Sequence, residues 1–162
     1  MELFHYYSEY RVIVCKSCQY AIQPGRITAH LRSDQHKLTR WQSEEAAEQY
    51  KSYDLADPCI EIVMPNSIVT PIDYLPLHKD GLQCNQCSYI CRAVEVMKRH
   101  QRDTHNMRIG RGRRLAAISW TSTWCQCFFT SAGQRYFPVQ QPNEATDPAP
   151  STTDRLIRLV HR

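Results

Sequence analysis

Residues 15–36 read CKSCQYAIQPGRITAHLRSDQH, a stretch in which two cysteines and two histidines follow the spacing C-x2-C-x11-H-x5-H. Two cysteines separated by two residues can turn both thiolates from a tight knuckle toward one ion. Two histidines spaced by four or five residues near the end of a helix project their imidazoles to the same side. The pattern therefore predicts a tetrahedral metal site with the ligands Cys15, Cys18, His30 and His36.

A second stretch, residues 84–105, reads CNQCSYICRAVEVMKRHQRDTH and has the spacing C-x2-C-x12-H-x4-H. A single gap aligns it with the first stretch, and the alignment also matches Tyr20 with Tyr89. Because four correctly spaced residues occur twice, we interpret them as metal ligands rather than as buried core residues. The second predicted set of ligands is Cys84, Cys87, His100 and His105.

Zinc is the metal that this combination of thiolates and imidazoles favours. A segment of about 25 residues buries too little apolar surface to fold alone, and zinc supplies about 10 to 16 kcal/mol of apparent binding energy in comparable peptides. Because protein ligands fill all four positions, none remains for a water or a substrate. The sequence therefore predicts two structural Zn²⁺ ions.

The positions beneath each predicted ion are apolar. Ile22 and Ile27 occupy, in the first repeat, the places where a standard zinc finger has an aromatic residue and a leucine. Cys91 and Met97 occupy those places in the second repeat. Cys91 is therefore predicted to be a small core side chain and not a fifth ligand.

Composition and charge restrict the class of protein. The chain has 162 residues, 42% of them hydrophobic, and a net charge of +4. It has neither a basic, apolar leader nor a window near the roughly 18 apolar residues of a membrane helix, so we expect a soluble, intracellular protein with reduced cysteines. Basic residues concentrate in residues 84–114 and acidic ones in residues 43–83, a layout that permits a polyanionic partner.

Residues 38–83 are predicted to be a linker. Its first part, residues 39–53, indicates a helix that begins with a capping box formed by Thr39 and Gln42, with Trp41, Ala47 and Tyr50 near one face. The following Pro-rich and β-branched segment indicates an extended path. Cys59 and His78 lie there without partners at ligand spacing, and we interpret both as structural or incidental.

The C-terminal part begins with the basic sequence MRIGRGRR at residues 107–114, which is typical of a phosphate-binding or nuclear-localisation segment and equally of a solvated loop. Residues 119–141 alternate as two strands joined by a turn at SAGQ. Cys125 and Cys127 would share one face of a strand, as core residues rather than as a third zinc site. The remaining tail has the composition of a disordered segment.

These predictions combine into a small α+β fold with two zinc-stabilised ββα-like finger modules, at residues 10–37 and 84–107. A helical and extended linker, residues 38–83, joins the modules. A basic run with a short β-hairpin at residues 108–140 and a disordered tail at residues 141–162 follow.

Weak nucleic-acid binding is the first predicted function. Counting back from the first histidine places Gln23, Arg26 and Ala29 at base-reading positions in the first repeat. The second repeat has Ala93, Val96 and Arg99 there, which are mostly apolar, so at best one repeat is equipped for sequence readout. We therefore expect DNA or RNA to be bound mainly through phosphates, without strong sequence specificity, and the protein to be nuclear, with a cytoplasmic location as the alternative. The predicted contacts are Arg26, Lys98, Arg99, Arg102, Arg108, Arg111, Arg113 and Arg114.

The alternative function is a zinc-stabilised protein–protein interaction module that binds no nucleic acid. The long linker favours it, because tandem DNA-reading fingers are spaced by about three base pairs each and need short linkers. Ala93 and Val96 would then pack against another part of the chain or against a protein partner. No paired carboxylates, phosphate-binding glycine loop or nucleophile with a base is recognisable, so we expect no enzyme activity, no small-molecule substrate and no membrane partner.

The sequence resembles the fungal family named after the orsellinic acid gene-cluster protein D. The resemblance is carried by CKSCQYAI and HLRSDQH, by PIDYLPLHKDGLQC, by CNQCSYICR and MKRHQRDTH, and by a tryptophan followed by QCFF and RYFPV, and it spans about residues 10–140. It implies a pair of degenerate two-cysteine, two-histidine zinc fingers that use the eight ligands named above. It implies no particular activity, and members of the family are often longer than this chain.

Overall fold

The computed structural model of the chain describes residues 3–57, 61–107, 119–131 and 133–142. Within these residues, seven strands form two antiparallel sheets accompanied by three α-helices, which confirms the small α+β class. The elements in chain order are β1 (Phe4–Tyr7), β2 (Val12–Cys15), β3 (Tyr20–Ile22), a 3-10 turn (Pro24–Arg26), α1 (Ile27–Leu31), α2 (Arg40–Glu48), β4 (His78–Cys84), β5 (Ile90–Cys91), α3 (Val94–His105), β6 (Trp120–Cys127) and β7 (Tyr136–Val139).

The first sheet is a meander in the order β1-β2-β3. Its central strand reads VIVC and is buried along its whole length, as expected of β-branched residues that face partners on both sides. Cys15 pairs with Tyr20 across the β2–β3 connection, so the tight turn between them carries Cys18. The sheet thus positions both cysteines of the first repeat.

The second sheet has the order β5-β4-β6-β7. The predicted hairpin is present as β6 and β7, with Gln126 opposite Phe137. It is not the separate element that the sequence predicts, because β6 also pairs with β4, where Gly81 lies opposite Thr123. No local sequence pattern encodes this long-range pairing, which makes the C-terminal hairpin part of the sheet that carries Cys84.

The two sheets share one buried cluster of apolar residues. Val14 of β2 belongs to the same buried cluster as Phe137 of β7 and Phe128, which directly follows β6. The Ala21 N–H donates to the Phe128 carbonyl at 2.6 Å. Burial of apolar surface between the sheets is the main favourable term for holding them together. The buried members of the cluster are Tyr10, Val12, Val14, Ala21, Ile72, Leu75, Phe128, Phe129, Phe137 and Val139.

Helix α2 begins at the predicted capping box. The Gln42 N–H donates to Thr39 Oγ1 at 3.3 Å, and the Thr39 N–H donates to Gln42 Oε1 at 3.0 Å. The helix ends at Glu48 and is shorter than the predicted span. Tyr50 is buried edge-on against Phe4, as the predicted apolar face requires. Trp41, in contrast, is 69% exposed, because the apolar face of the helix does not extend as far as Trp41.

The extended part of the linker is fastened to the second sheet by one buried glutamine. Gln126 is 1% exposed, and its side chain accepts a hydrogen bond from the Ile72 N–H at 2.8 Å. Its amide group donates to the carbonyls of Ile72 and Leu75 at 3.0 and 2.9 Å. A buried polar side chain with all these partners satisfied holds the segment in a single position.

A second attachment covers the outer edge of β7. Val69 forms a parallel bridge with Val139, and the Gln140 N–H donates to the Val69 carbonyl at 2.8 Å. Residues 69–75, which precede β4, are therefore packed along the hairpin.

Candidate metal centres

The first ligand group consists of Cys15, Cys18, His30 and His36. Cys15 is the last residue of β2, and the Cys18 N–H points at its Sγ atom from 3.4 Å, which is the knuckle that the C-x2-C spacing predicts. Gln19 follows with a φ of 59°, and this left-handed conformation lets the chain return into β3.

The nitrogen and sulfur atoms of the first ligand group converge on one point. His36 Nε2 lies 3.4 Å from Cys15 Sγ, 3.2 Å from Cys18 Sγ and 3.0 Å from His30 Nε2. Tetrahedral zinc with ordinary bond lengths separates sulfur from nitrogen by about 3.6 Å and nitrogen from nitrogen by about 3.3 Å. The three distances from His36 Nε2 are therefore within a few tenths of an ångström of those in a tetrahedral zinc site.

The second ligand group, Cys84, Cys87, His100 and His105, has the same arrangement. His105 Nε2 lies 3.5 Å from Cys84 Sγ, and His100 Nε2 lies 3.3 Å from Cys87 Sγ. In both groups all four ligand atoms lie within 4.8 Å of one another. Each group can hold one metal ion.

The different histidine spacings have different structural origins. His100 and His105 both lie on α3, which ends at a left-handed cap at Asn106 with a φ of 53°. In the first group α1 ends at Leu31, before His36, and the chain continues through hydrogen-bonded turns in which the His36 N–H donates to the Ser33 carbonyl at 3.1 Å. The longer x5 spacing thus reflects a helix that has already ended.

Outer contacts orient one histidine in each group. The hydroxyl of Tyr20 lies 3.3 Å from His30 Nδ1, and that of Thr104 lies 3.3 Å from His100 Nδ1. When Nε2 is the metal ligand, Nδ1 carries the proton and donates it to these oxygens. Tyr89, the counterpart of Tyr20 in the repeat, instead stacks on His100 with ring centroids 4.1 Å apart. The alignment of the two repeats matches these two tyrosines, but the sequence predicts no role for them.

Burial shifts the pKa of ligand side chains in both groups. Burial, with a neighbouring thiol, raises the pKa of Cys18 to about 11, and burial, with a neighbouring imidazole, lowers the pKa of His30 to about 4. Burial is also the largest cause that raises the pKa of Cys87 and lowers the pKa of His100. The neutral forms of these four side chains are therefore favoured when no metal is bound, and a divalent ion would bind with release of the protons of the two thiols.

Apolar side chains support both groups as predicted. Ile22 and Ile27 are buried in the cluster that includes Cys15. Cys91 and Met97 are buried with Cys84 in a smaller cluster, which confirms Cys91 as a core residue. Each group therefore rests on the apolar residues that the repeat predicts.

Other candidate ligands do not form a third group among the described residues. Cys125 and Cys127 are buried, and burial raises the pKa of Cys125 to about 12. His78 is half-buried and meets the Tyr136 ring edge-on at 6.0 Å. Cys59 lies outside the described residues.

Neighbouring carboxylates partly neutralise the charges of two residues that are predicted to contact nucleic acid. Lys98 pairs with Glu95 at 2.8 Å, and Arg102 pairs with Asp103 at 2.8 Å. Arg99 and Arg26 are exposed. Arg99 lies in the segment of the second ligand group, whereas Arg26 lies in the segment of the first. The remaining four, Arg108, Arg111, Arg113 and Arg114, lie outside the described residues.

The fold and the site together define a small α+β protein with two Cys2His2 groups, each of which could hold a metal ion. In the part of the chain that the structure describes, no helix is long and apolar enough to cross a membrane. The family model for orsellinic acid/F9775 biosynthesis cluster protein D matches residues 2–106, a span that includes all eight ligands, and the chain belongs to this family.

A curated relative supports the same assignment. Orsellinic acid/F9775 biosynthesis cluster protein D of Emericella nidulans is 29% identical over 145 residues, which are 88% of this chain and 27% of the relative. This chain therefore corresponds to only part of the length of that protein. No solved structure matches this chain.

Proposed function

We propose that this chain is a non-enzymatic protein in which two structural zinc ions, held by two variant C2H2 fingers, stabilise a surface for binding a protein partner. The observation that carries the proposal is the convergence of two sulfur and two nitrogen atoms, in each ligand group, to within 4.8 Å of one another. Tetrahedral S2N2 coordination favours zinc, and protein ligands leave no open position for catalysis.

Metal analysis tests the zinc part of the proposal. The purified chain should contain two zinc ions by mass spectrometry, and a strong chelator should remove them together with most of the circular-dichroism signal, because each ion supplies folding free energy. Cys91→Ala is the matched control, since this cysteine lies among the ligands without being one, and it should retain both ions. A zinc-free chain with an unchanged spectrum would contradict the proposal.

Charge favours a protein partner over nucleic acid. Helix α3 carries the basic residues of the second group, but Glu95 and Asp103 lie beside two of them. These exposed pairs contribute little to stability, yet each carboxylate offsets the positive field that a phosphate would meet. Val96, on the same helix, is half-buried against the Met97 cluster and leaves its remaining surface beside an apolar groove.

Weak nucleic-acid binding is the second candidate, and the exposure of Arg99 favours it. Labelled duplex DNA and RNA at low salt should then bind the chain, and Arg99→Glu should weaken binding several-fold and lower the salt dependence by about one phosphate contact. Arg40→Glu on α2 is the control and should leave the affinity unchanged. Equal affinities of both variants would count against this function. A nuclear location stays a prediction, because it depends on residues 108–114.

A further inference from the structure

The two cysteine pairs differ in how far solvent reaches their sulfur atoms. Cys87 is exposed, whereas Cys15 is fully buried and Cys18 is partly buried. A cleft of about 520 Å³ opens directly on the second pair, and both Cys84 and Cys87 line it. The other residues of the lining are polar and uncharged, namely Gln83, Asn85, Gln86, Ser88 and Thr121. A small, neutral and polar molecule can therefore reach the sulfur atoms of this pair.

The first cysteine pair is covered by its surroundings. The Cys18 Sγ atom lies 2.8 Å from Gln35 Oε1 and 3.2 Å from His36 Nε2. Among the described residues, the cleft beside the first group is lined by His30 and Gln35 but by neither Cys15 nor Cys18. A molecule in this cleft therefore meets an amide and an imidazole, whereas a molecule at the second group meets sulfur.

Helix α3 has little apolar support apart from its metal ligands. Among the described residues, the cluster beneath it has three buried members, Cys84, Cys91 and Met97, and Cys84 is itself a ligand. The corresponding cluster of the first group has seven buried members, which include Phe4 and Tyr50. Because less apolar surface is buried beneath α3, its attachment depends more strongly on the metal ion.

We propose that the Cys84–Cys87 pair is a site of reversible oxidation by a hydroperoxide, at which disulfide formation expels the second zinc ion and loosens α3, while the first group keeps its ion. The proposal deepens the proposed function, on whose zinc part it rests, because it names a regulation of the second ligand group. Helix α3 carries Val96, so oxidation would also disturb the surface that the proposed function assigns to a protein partner.

The oxidation runs in two steps, for which hydrogen peroxide is the simplest oxidant. The exposed Cys87 thiolate attacks one peroxide oxygen, so that an S–O bond forms, the O–O bond breaks and the leaving hydroxide is protonated to water. The Cys84 sulfur, which lies within 4.8 Å of the Cys87 sulfur, then forms the S–S bond and displaces a second hydroxide. The two thiolates together lose two electrons, the peroxide gains them, and solvent supplies two protons. Two imidazoles without thiolates hold zinc weakly, so the ion leaves to solvent.

Oxidation of the full, zinc-loaded chain with hydrogen peroxide tests the proposal. Released zinc is followed with a colorimetric chelator, and the oxidised cysteines are mapped by differential alkylation and mass spectrometry. We expect one ion to leave at least about tenfold faster than the other, together with a disulfide between Cys84 and Cys87 and faster hydrogen exchange in α3. A dithiol reductant with added zinc should restore both ions and the protection of α3.

Thr121→Trp tests the access route without changing a ligand. Thr121 is an exposed residue in the lining of the cleft at the second pair, so a bulky side chain there should slow release of the faster ion several-fold. Thr130→Trp is the matched control, because Thr130 is an exposed residue in the lining of the cleft beside the first group. It should leave this rate unchanged. Equal rates for the two variants would contradict entry through the cleft and with it the proposal.

Three other results would overturn the proposal. These are loss of both ions at the same rate, a disulfide between Cys15 and Cys18 before any at the second pair, and a loss of zinc that the dithiol cannot reverse. Zinc content measured before oxidation separates the two levels of inference. A chain without zinc overturns the proposed function, whereas a chain with two ions that leave together overturns only the oxidation site.

Discussion

Replacing Cys18 with serine and His36 with alanine is expected to lower the zinc content from two ions to one and to destabilise the distant hairpin of β6 and β7 as well. Neither side chain is fully buried, so the double variant removes coordination with little direct damage to packing. A structural site contributes about 10 to 16 kcal/mol of apparent binding energy, which matches or exceeds the total stability of most domains, about 5 to 15 kcal/mol.

The effect should reach the hairpin because the core is shared. Loss of the ion loosens the turn between β2 and β3, and the Ala21 N–H on β3 donates to the Phe128 carbonyl just beyond β6. Val14 packs in the same cluster as Phe128. Amide hydrogen exchange at β6 and the midpoint of thermal unfolding, followed by circular dichroism, measure how far loss of the ion destabilises the hairpin.

Two comparisons make this result decisive. The reciprocal double variant, Cys87→Ser with His105→Ala, should also lose one ion and loosen β2, since the coupling runs both ways. Cys91→Ala should keep both ions. If the first variant loses one ion but leaves hydrogen exchange at β6 unchanged, the ligand groups are independent and the shared core contributes little.

The second large effect is expected from Gly81→Ala, which should reduce the free energy of unfolding by about 3 kcal/mol or more, at the upper end of overpacking costs. A Cβ atom at Gly81 would lie 2.6 Å from the Thr123 carbonyl oxygen and 2.8 Å from Cys125 Sγ. Neither neighbour can move away cheaply, because one is backbone in β6 and the other is fully buried. Relief requires separation of β4 from β6.

Gly25→Ala is the matched control for this substitution. A Cβ atom at Gly25 would meet nothing within 4 Å, so the change should alter stability by less than about 1 kcal/mol. Denaturant unfolding of both variants, with zinc present, gives the comparison. Equal stabilities of the two alanine variants would show that β4 and β6 do not approach as closely as the fold requires. Zinc should also bind more weakly to the second ligand group of Gly81→Ala, because Cys84 lies three residues further along β4.

The sequence predicts those parts of the site that depend on neighbouring residues. The C-x2-C spacing, the helical histidines and the apolar residues beneath them are local patterns, and the structure brings each set of four ligands together. The capping box of Thr39 and Gln42 and the pairing of β6 with β7 are local as well. Such features can be derived because backbone geometry fixes them within a few residues.

What the sequence does not predict depends on contacts between distant residues. Gln126 gives no sign of its three hydrogen bonds to Ile72 and Leu75, since a lone glutamine in a strand is usually a solvated residue. The aromatic residues Phe128 and Phe129 indicate a buried strand without naming the sheet that covers them. The pairing of β4 with β6 likewise leaves only the isolated Gly81 as a signal.

The shared core also has a consequence for how the chain acquires its structure during synthesis. All four ligands of the first group emerge early, whereas Phe128, Phe137 and Val139, which cover Val12 and Val14, emerge much later. The apolar face of β2 therefore stays exposed to solvent until these later residues have been translated. Contacts between such distant parts of a sequence slow folding and expose strands to aggregation. Early capture of an ion by the first ligand group would hold this nascent half in a defined shape until its C-terminal cover arrives.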